Sequence, residues 1–503
     1  MSRTRNSAWN MAGGLLFTGV SVACGLLATP WLLRWLGAER FGAFKVLTDW
    51  VGYLALLDLG LGGALLAGLA SGVGAGDDDA VRGVLASGRR AYFGVAALTL
   101  AAGLLLVVVL PFALHARHLA VGELRAAVLV ALVPVLMTPL LVFRALAEAR
   151  QRTYLLSLLM TGQAILSTLL CLATARAGWG LVGQSLAAAM AQTPAILALA
   201  YDGKRAFGKI GPPHAASDAH RVLASLRWPS WIHSLADRVG LVSDSVVIAW
   251  LLGPMSVTPF FLTQQLPMLA QFLLRGLSNA TWAGLVELHT QGQHAVFRQR
   301  LLELTGLVCG LGVAVLGPIA AYNHHFVRQW VGASADAGEI VTLLACANGW
   351  LWALFSLWSW PILGAGHIGR WAPYSVAFIL VNVPMSVCAT HLCGLPGPLI
   401  GSSAGFLLID AWAMPHVLKR VFALSPTGLW RAALTPLWWG LPYAAAVWYV
   451  AHNHRPVGWG TLGVEMAAAT LGGLALWGRL GVSRELRSKW QSRLQAFLTR
   501  SPS

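Results

Sequence analysis

Residues 94–110 read GVAALTLAAGLLLVVVL: seventeen consecutive positions without a charge and with a single hydroxyl. The apolar residues do not alternate. A strand of a membrane barrel would show one lipid-facing and one lumen-facing row over about 10 residues. A continuous run is instead what a helix needs to cross a hydrocarbon core, which takes about 20 apolar residues. Working outward, the same texture extends from Ala8 to about Trp477, and no polar interval is long enough to fold as a separate soluble domain. Hydrophobic residues make up 57% of the 503 positions and charged residues 11%, against about 25% charged in a soluble protein. The chain therefore reads as an all-α polytopic membrane protein. Most soluble enzyme classes are excluded at once, because any site must lie among membrane helices or in short loops.

The pattern predicts about 14 transmembrane helices, near 11–33, 45–69, 91–112, 126–144, 154–175, 181–201, 228–252, 258–281, 301–322, 340–363, 373–392, 398–418, 432–451 and 460–478. The first is too long for a signal-peptide core and is followed by no small-residue cleavage site, so it reads as a retained helix. The longest polar interval lies at 202–227 and contains Gly211-Pro212-Pro213. It divides an N-terminal lobe at 1–201 from a C-terminal lobe at 228–420, six helices each. Two further helices follow at 421–480, and a basic tail at 481–503. In that tail Leu486, Trp490, Leu494 and Phe497 recur at helical spacing among Arg and Lys, which predicts an amphipathic helix on the inner leaflet.

A comparison across the linker suggests a repeat, the alternative being coincidence in a Leu- and Gly-rich background. Leu36-Gly37 matches Leu252-Gly253, Phe44 matches Phe260, and Gly60-Leu61 matches Gly276-Leu277, all at one offset of 216. Six helices is an even number, so both lobes enter the bilayer from the same side, as parallel repeats with a pathway between them.

The net charge of +16 is topology and not a nucleic-acid footprint. With the N-terminus inside, 25 of the 35 lysines and arginines fall in cytoplasmic segments and 8 in the opposite ones. By the positive-inside rule this places both termini in the cytoplasm, and the surplus meets anionic membrane lipids. The six cysteines form no C-x-x-C pair, so neither a metal site nor a disulfide framework is expected.

A charge at the bilayer centre costs at least ~2.5 kcal/mol, so polar residues inside the spans mark a cavity or a partner. Gln264, Gln271, Arg275 and Asn279 lie at intervals of 7, 4 and 4, with Met268 completing the stripe. They share one helix face, either the wall of a wet cavity or a hydrogen-bonded helix seam. His233, Asp237 and Asp244 form another stripe, with Arg238 beside it. Neighbours on a helix diverge by about 100°, so Arg238 is expected to pair across helices. This set reads equally as a cation-coupling or proton-relay site and as a static charge network. Lys45 and Asp49 stand at i, i+4, a good ion-pair spacing, although Lys45 can also snorkel to the interface. Asp58 stands in Leu57-Asp58-Leu59-Gly60, and Asp410 lies deep enough to need a partner. Trp350, Trp352, Trp358 and Trp360 cluster in one helix, as a carbohydrate-stacking face or as packing. Gly401 and Gly405 form a G-x-x-x-G for close helix contact. No phosphate-binding G-x-x-x-x-G-K-[ST] loop or H-E-x-x-H occurs, and the G-x-S-x-G letters of Gly401-Ser-Ser-Ala-Gly405 fall inside that same apolar helix segment and not at a strand-to-helix elbow, so no ATPase, zinc-protease or serine-hydrolase chemistry is expected, and no cofactor.

The opening segment, Pro30-Trp-Leu-Leu-Arg-Trp-Leu-Gly-Ala-Glu-Arg-Phe-Gly42, followed by Gly52-Tyr-Leu-Ala-Leu-Leu-Asp-Leu-Gly-Leu-Gly62, resembles the start of the Wzx-type polysaccharide-export flippases. These belong to the multidrug/oligosaccharidyl-lipid/polysaccharide exporter superfamily. Asp244-Ser-Val-Val-Ile248 and Phe326-Val-Arg-Gln-Trp-Val-Gly332 are fainter echoes. The resemblance implies a MATE-like fold of two lobes around a cationic vestibule and no enzymatic activity. It implies transport of a polyprenyl-diphosphate-linked oligosaccharide across the cytoplasmic membrane by alternating access, coupled to H⁺ or Na⁺, with other polysaccharide-assembly proteins as possible partners. Arg275, Arg238 and Lys45 would attract diphosphate or acidic sugars, with Gln264, Gln271 and Asn279 meeting hydroxyls. Asp58, Asp237, Asp244, His233 and Asp410 would be coupling or structural charges. Lipid II flippases of the superfamily include some with a sodium site. On the corresponding helices this chain has Asp244, Asn382, Ser386 and Ser402, but the helix at 373–392 lacks the second acidic ligand. The alternatives are a cation-coupled drug antiporter of the same superfamily, or a membrane-embedded glycan polymerase or ligase using the outward His324, His325 and Arg328.

Overall fold

Helix α1 runs from Arg3 to Leu54, 52 residues. Straight, it would span about 78 Å at 1.5 Å per residue, far more than a hydrocarbon core of about 30 Å. Gly37 breaks it, with φ 79° and ψ 162°, a conformation open to glycine and strained for other residues. The turn expected between 33 and 45 sits at this glycine. The computed structural model describes residues 3–114, 119–207, 231, 235, 238 and 243–481; among them there is no strand. The 481–503 tail beyond its first residue, most of the 202–227 linker, and the candidates His233 and Asp237 lie outside the described residues.

The helix expected at 45–69 is interrupted. A 3₁₀ turn covers Ala55–Asp58, then Leu59 and Gly60 adopt the left-handed region, and α2 starts at Leu61 and ends at Ala75. The cause is local. The Asp58 carboxylate accepts from the backbone N–H groups of Gly60 at 2.8 Å and Gly62 at 3.4 Å, the competition with helix hydrogen bonding that aspartate favours. The Trp231 indole N–H donates to the carbonyl of Leu56 at 2.8 Å. A broken helix at membrane depth is tolerated when its freed backbone groups find such partners.

The remaining helices of the first unit are α3 (Asp78–Ala113), α4 (Val121–Ala131), α5 (Val142–Ala149), α6 (Thr153–Arg176), α7 (Gly180–Phe207) and α8 (Ser243–Leu252). This unit covers Met1–Thr258. In it α1 packs on α6, α6 and α4 pack on α7, and α2 packs on α3 and α5. Leu69, Leu85, Phe143 and Leu146 form part of its buried core.

The second unit covers Pro259–Ser503, so the division falls inside α9 (Pro254–Thr263). Then come α10 (Gln265–Thr290), α11 (His294–Val331), α12 (Glu339–Gly364), α13 (Ile368–Cys393), α14 (Gly397–Gly405), α15 (Ala411–Phe422), α16 (Pro426–Leu434), α17 (Leu437–Asn453) and α18 (Trp459–Leu476). The break between α9 and α10 has a single cause. Pro267 cannot donate to, and clashes with, the carbonyl four residues before it, which is that of Thr263. Asn323, fully buried on α11, takes up that carbonyl with its side-chain N–H₂ at 2.8 Å and donates also to Thr342 at 3.0 Å. In this unit α10 packs on α11 and α12, α13 on α14, and both α17 and α18 on α11. Trp358, Phe355, Phe378 and Phe406 sit in its core. The tryptophans of α12 serve this packing. The indole N–H of Trp358 donates to Thr305 at 3.0 Å, that of Trp350 donates to the Cys309 carbonyl at 3.1 Å, and Trp360 stacks on Trp282.

Nine helices among the described residues are long and apolar enough to cross a membrane, beside two shorter apolar ones, Leu61–Ala75 and Ser243–Leu252. The difference from the fourteen expected segments lies largely in the breaks. The first two segments merge in one stretch, Ala12–Asp58, and those expected at 258–281 and 432–451 are each divided between two helices, α9 and α10 and α16 and α17.

Candidate functional site

Four charged side chains meet in the first unit. Lys45 and Asp49 lie one turn apart on α1, and the Lys45 ammonium donates to Asp49 Oδ1 at 2.7 Å. Asp49 is 5% exposed and Asp244, on α8, 8%. The two carboxylates are within electrostatic reach of each other, and Arg238 is within reach of Asp49. The Ser245 hydroxyl lies beside Asp49, and the Tyr53 phenol is within reach of Asp49, Asp244 and Arg238.

A glycine makes this assembly possible. A Cβ on Gly52 would stand 1.8 Å from a terminal nitrogen of Arg238, so the guanidinium lies directly against the α1 backbone, one turn beyond Asp49. Two cations and two carboxylates thus share a low-dielectric region, where an unpaired charge would cost several kcal/mol. The set is balanced in sign and incompletely bonded. Oδ1 of Asp244 and Nε of Arg238 are buried with no hydrogen-bond partner among the described residues. Such a site can accept a small cation at the carboxylate or an anion at the guanidinium.

The stripe of the second unit has a different character. Ala270, Leu274 and Ser278 form the buried face of α10. Gln271 and Arg275 are half-buried, Met268 and Asn279 are exposed, and Gln264 occupies the turn before the helix. The unit's own packing therefore leaves this face open along its length. The Arg275 guanidinium lies over the Trp352 ring, 5.3 Å from its centroid, a cation–π contact worth about 0.5–2 kcal/mol. Gln264 donates to its own helix at the Phe260 carbonyl, 3.4 Å away.

Asn382, Ser386 and Ser402 are brought together where α13 meets α14. Asn382 donates to the Ser402 hydroxyl at 3.1 Å, and Ser386 donates to the Pro398 carbonyl at 3.3 Å. The approach is close because Gly401 packs against Ser386 and Gly405 against Phe378, the use expected of the G-x-x-x-G. Asp244 belongs to the first unit. Among the described residues no three His, Cys, Asp or Glu side chains cluster as metal ligands. Asp58 caps the broken helix and lies outside the four-charge set as described. Asp410 is buried at the end of a π-helical turn, Phe406–Asp410, between α14 and α15.

Sequence reasoning left Asp49, Tyr53 and Ser245 out of the site. Asp49 was signalled by its spacing to Lys45. The other two are joined to it only by the fold.

The arrangement can be set beside known proteins. A family model described as "Polysaccharide biosynthesis protein" matches residues 4–282. No curated protein is similar enough to match the chain. Among solved structures, the lipid II flippase MurJ in an inward closed conformation superposes with a TM-score of 0.69 at 11% identity, covering 92% of this chain and 99% of that one. An inward-facing multidrug resistance MATE family transporter of the MOP superfamily gives 0.63 at 14% identity, covering 86% and 98%. The Vibrio cholerae MATE transporter VcmN, as a point mutant, gives 0.58 at 16% identity, covering 83% and 98%. The fold is that of the MATE and MurJ proteins, an all-α membrane architecture. Because the family model covers more than half of the 503 residues, the chain belongs to the polysaccharide biosynthesis protein family.

Proposed function

We propose that the protein is a flippase that moves a polyprenyl-diphosphate-linked oligosaccharide across the cytoplasmic membrane by alternating access. The observation that carries this reading is the buried set of Lys45, Asp49, Arg238 and Asp244. Intramembrane charges of this kind are functional by default, and their chemistry suits the cargo. Arg238 and Lys45, with Arg275 on the open face of α10, supply cations for a diphosphate. The amides of Gln264, Gln271 and Asn279 supply donors and acceptors for sugar hydroxyls.

Coupling follows from charge balance. A proton or sodium ion taken up at Asp244 removes one negative charge from a neutral set and leaves it cationic. Cation and diphosphate then strengthen each other's binding by the same factor, as linkage requires. A proton suits the site better than sodium, because the Asn382, Ser386 and Ser402 set contains no carboxylate. His233 and Asp237 complete the relay in this reading, while Asp58 and Asp410 are structural. Alternating access in this reading is between the lobes at 1–201 and 228–420, joined by the linker at 202–227 and followed by the two helices at 421–480, with both termini cytoplasmic. Besides the lipid-linked cargo, the partners are membrane lipids and other polysaccharide-assembly proteins.

The second reading is cation-coupled drug antiport, favoured by the fold likeness to MATE transporters. Deletion followed by lipid analysis separates the two. The flippase reading expects full-length lipid-linked repeat units to accumulate on the inner leaflet and surface polymer to disappear. Normal polymer with impaired efflux of cationic dyes would reverse the assignment.

A further inference from the structure

The end of α11, the start of α12 and the end of α17 converge in the second unit on a cavity of about 170 Å³. It lies on the membrane face opposite the basic loops, by the charge distribution described above. Its wall contains two arginines, Arg328 and Arg455, three histidines (His324, His325 and His452), one acid, Glu339, and one aromatic, Trp448. Nothing in the transport reading uses it.

The polar groups are only partly engaged. Asp336, 3% exposed at its side chain, contacts His324 Nδ1 and lies 3.5 Å from Arg328 Nε. The Arg328 side chain is nonetheless 53% exposed, so one edge of its fork remains available. The His325 ring spends one nitrogen on the Ala451 carbonyl at 3.2 Å. Glu339 is 3.9 Å from His452 Nδ1. No ion pair holds Arg455 among the described residues. Two arginine forks facing one small cavity match the planar, bidentate geometry that phosphate oxygens accept.

The rim points to a lipid. Trp448 stacks on His452 at 5.0 Å between centroids, lines the cavity, and is still 40% exposed. Tyr449 and Val450 follow it and are exposed as well. Tryptophan and tyrosine at a helix end are the residues of the membrane interface, where headgroups lie.

We infer that this cavity binds the phosphate of a lipid headgroup at the membrane surface, with Arg328 and Arg455 as the clamp and Trp448 against the first acyl carbons. The site requires only that the chain spans a bilayer, so it stands or falls separately from transport.

The test is native mass spectrometry of the full-length purified protein with phosphatidylglycerol, phosphatidylcholine or inorganic phosphate added. Wild type is expected to retain one more phosphatidylglycerol than phosphatidylcholine. Arg328→Ala/Arg455→Ala is expected to lose that one lipid and to bind phosphatidylglycerol about tenfold more weakly at this site. Arg89→Ala/Arg90→Ala, which removes equal charge elsewhere, should retain it. Arg328→Lys/Arg455→Lys guards against misfolding, and partial retention there supports the clamp. Displacement of the lipid by inorganic phosphate supports recognition through phosphate. Binding of inorganic phosphate without lipid retention would overturn the lipid assignment, and an unchanged lipid count in the alanine variant would overturn the site.

Discussion

The Thr258 hydroxyl donates to the carbonyl oxygen of Ala38 at 2.6 Å, and the same few residues meet a second time where Gly42 faces the carbonyl of Pro254. Shifting 38 and 42 by the repeat offset of 216 gives 254 and 258. The two contacts therefore exchange places under that offset. The preceding turns agree, because Gly37 and Gly253 both have positive φ, 79° and 87°.

Gly42→Ala is expected to be strongly destabilising. Its Cβ would stand 1.9 Å from the Pro254 oxygen, a backbone atom with little room to yield. Overpacking of this kind costs about 1–3 kcal/mol or more. Gly14→Ala, whose Cβ meets nothing within 4 Å, is the control. Thermal melting in detergent should separate the two by several degrees, and equal midpoints would refute the close approach.

Asn323→Leu is expected to lower stability by about 1–3 kcal/mol, the cost of leaving a buried carbonyl unpaired. Restoring a hydrogen in the backbone by Pro267→Ala in the same chain should recover part of the loss, since the Thr263 carbonyl then regains a helical donor. Melting of the single and double variants reads both effects. Additive losses would show that Asn323 does not serve the proline break.

Asp244→Asn should abolish polymer export while the protein accumulates normally in the membrane, because the amide keeps the shape and cannot take up a cation. Asp49→Ala should behave differently, lowering abundance, because removing one partner of a buried ion pair costs about 3–5 kcal/mol. Immunoblots of membranes beside polymer yield distinguish the two. Export at the normal level in Asp244→Asn would remove Asp244 from the coupling role.

Arg275→Ala should stop export at unchanged abundance, and Arg275→Lys should restore only part of it. Lysine keeps the charge but not the planar contact with the Trp352 ring. Normal polymer in the alanine variant would dismiss Arg275.

His289 and His367, at the ends of α10 and α12 beyond the expected spans, both titrate below the usual histidine range. Burial is the first cause in each. His294 and then His367 add to it at His289, and Arg370 adds to it at His367. The two rings of His289 and His294 approach to 3.2 Å between Nδ1 atoms. As pH falls through about 6.5 the unfolded chain binds protons that the folded one resists, so stability declines. The melting midpoint should drop between pH 7.5 and 5.5, and His289→Gln should flatten that slope. A flat wild-type profile would contradict it.

Much of this architecture was legible in the residues, and for physical reasons. Continuous apolar runs permit only helices in lipid, and Leu36-Gly37 marked the place where Gly37 breaks α1. The i, i+4 spacing placed Lys45 against Asp49, and Gly401 and Gly405 announced tight packing. The interruptions were harder to read. Asp58-Leu59-Gly60 and Pro267 sit inside strongly apolar windows, whose average conceals a single residue able to redirect the backbone. The meeting of Arg238 with Gly52, and of His452 and Arg455 with Arg328, depends on tertiary contact between segments more than a hundred residues apart. No local pattern carries such information.

The π-helical turn at Phe406–Asp410 has a bearing on ancestry. Such a turn is one surplus residue inside an α-helix, so everything after it, Ala411–Phe422 included, is rotated by about 100° relative to an uninterrupted helix. A relative lacking the surplus would align here only with a one-position gap. Substitutions in that stretch should therefore be compared after shifting the numbering, or buried and lipid-facing positions will be mistaken for each other.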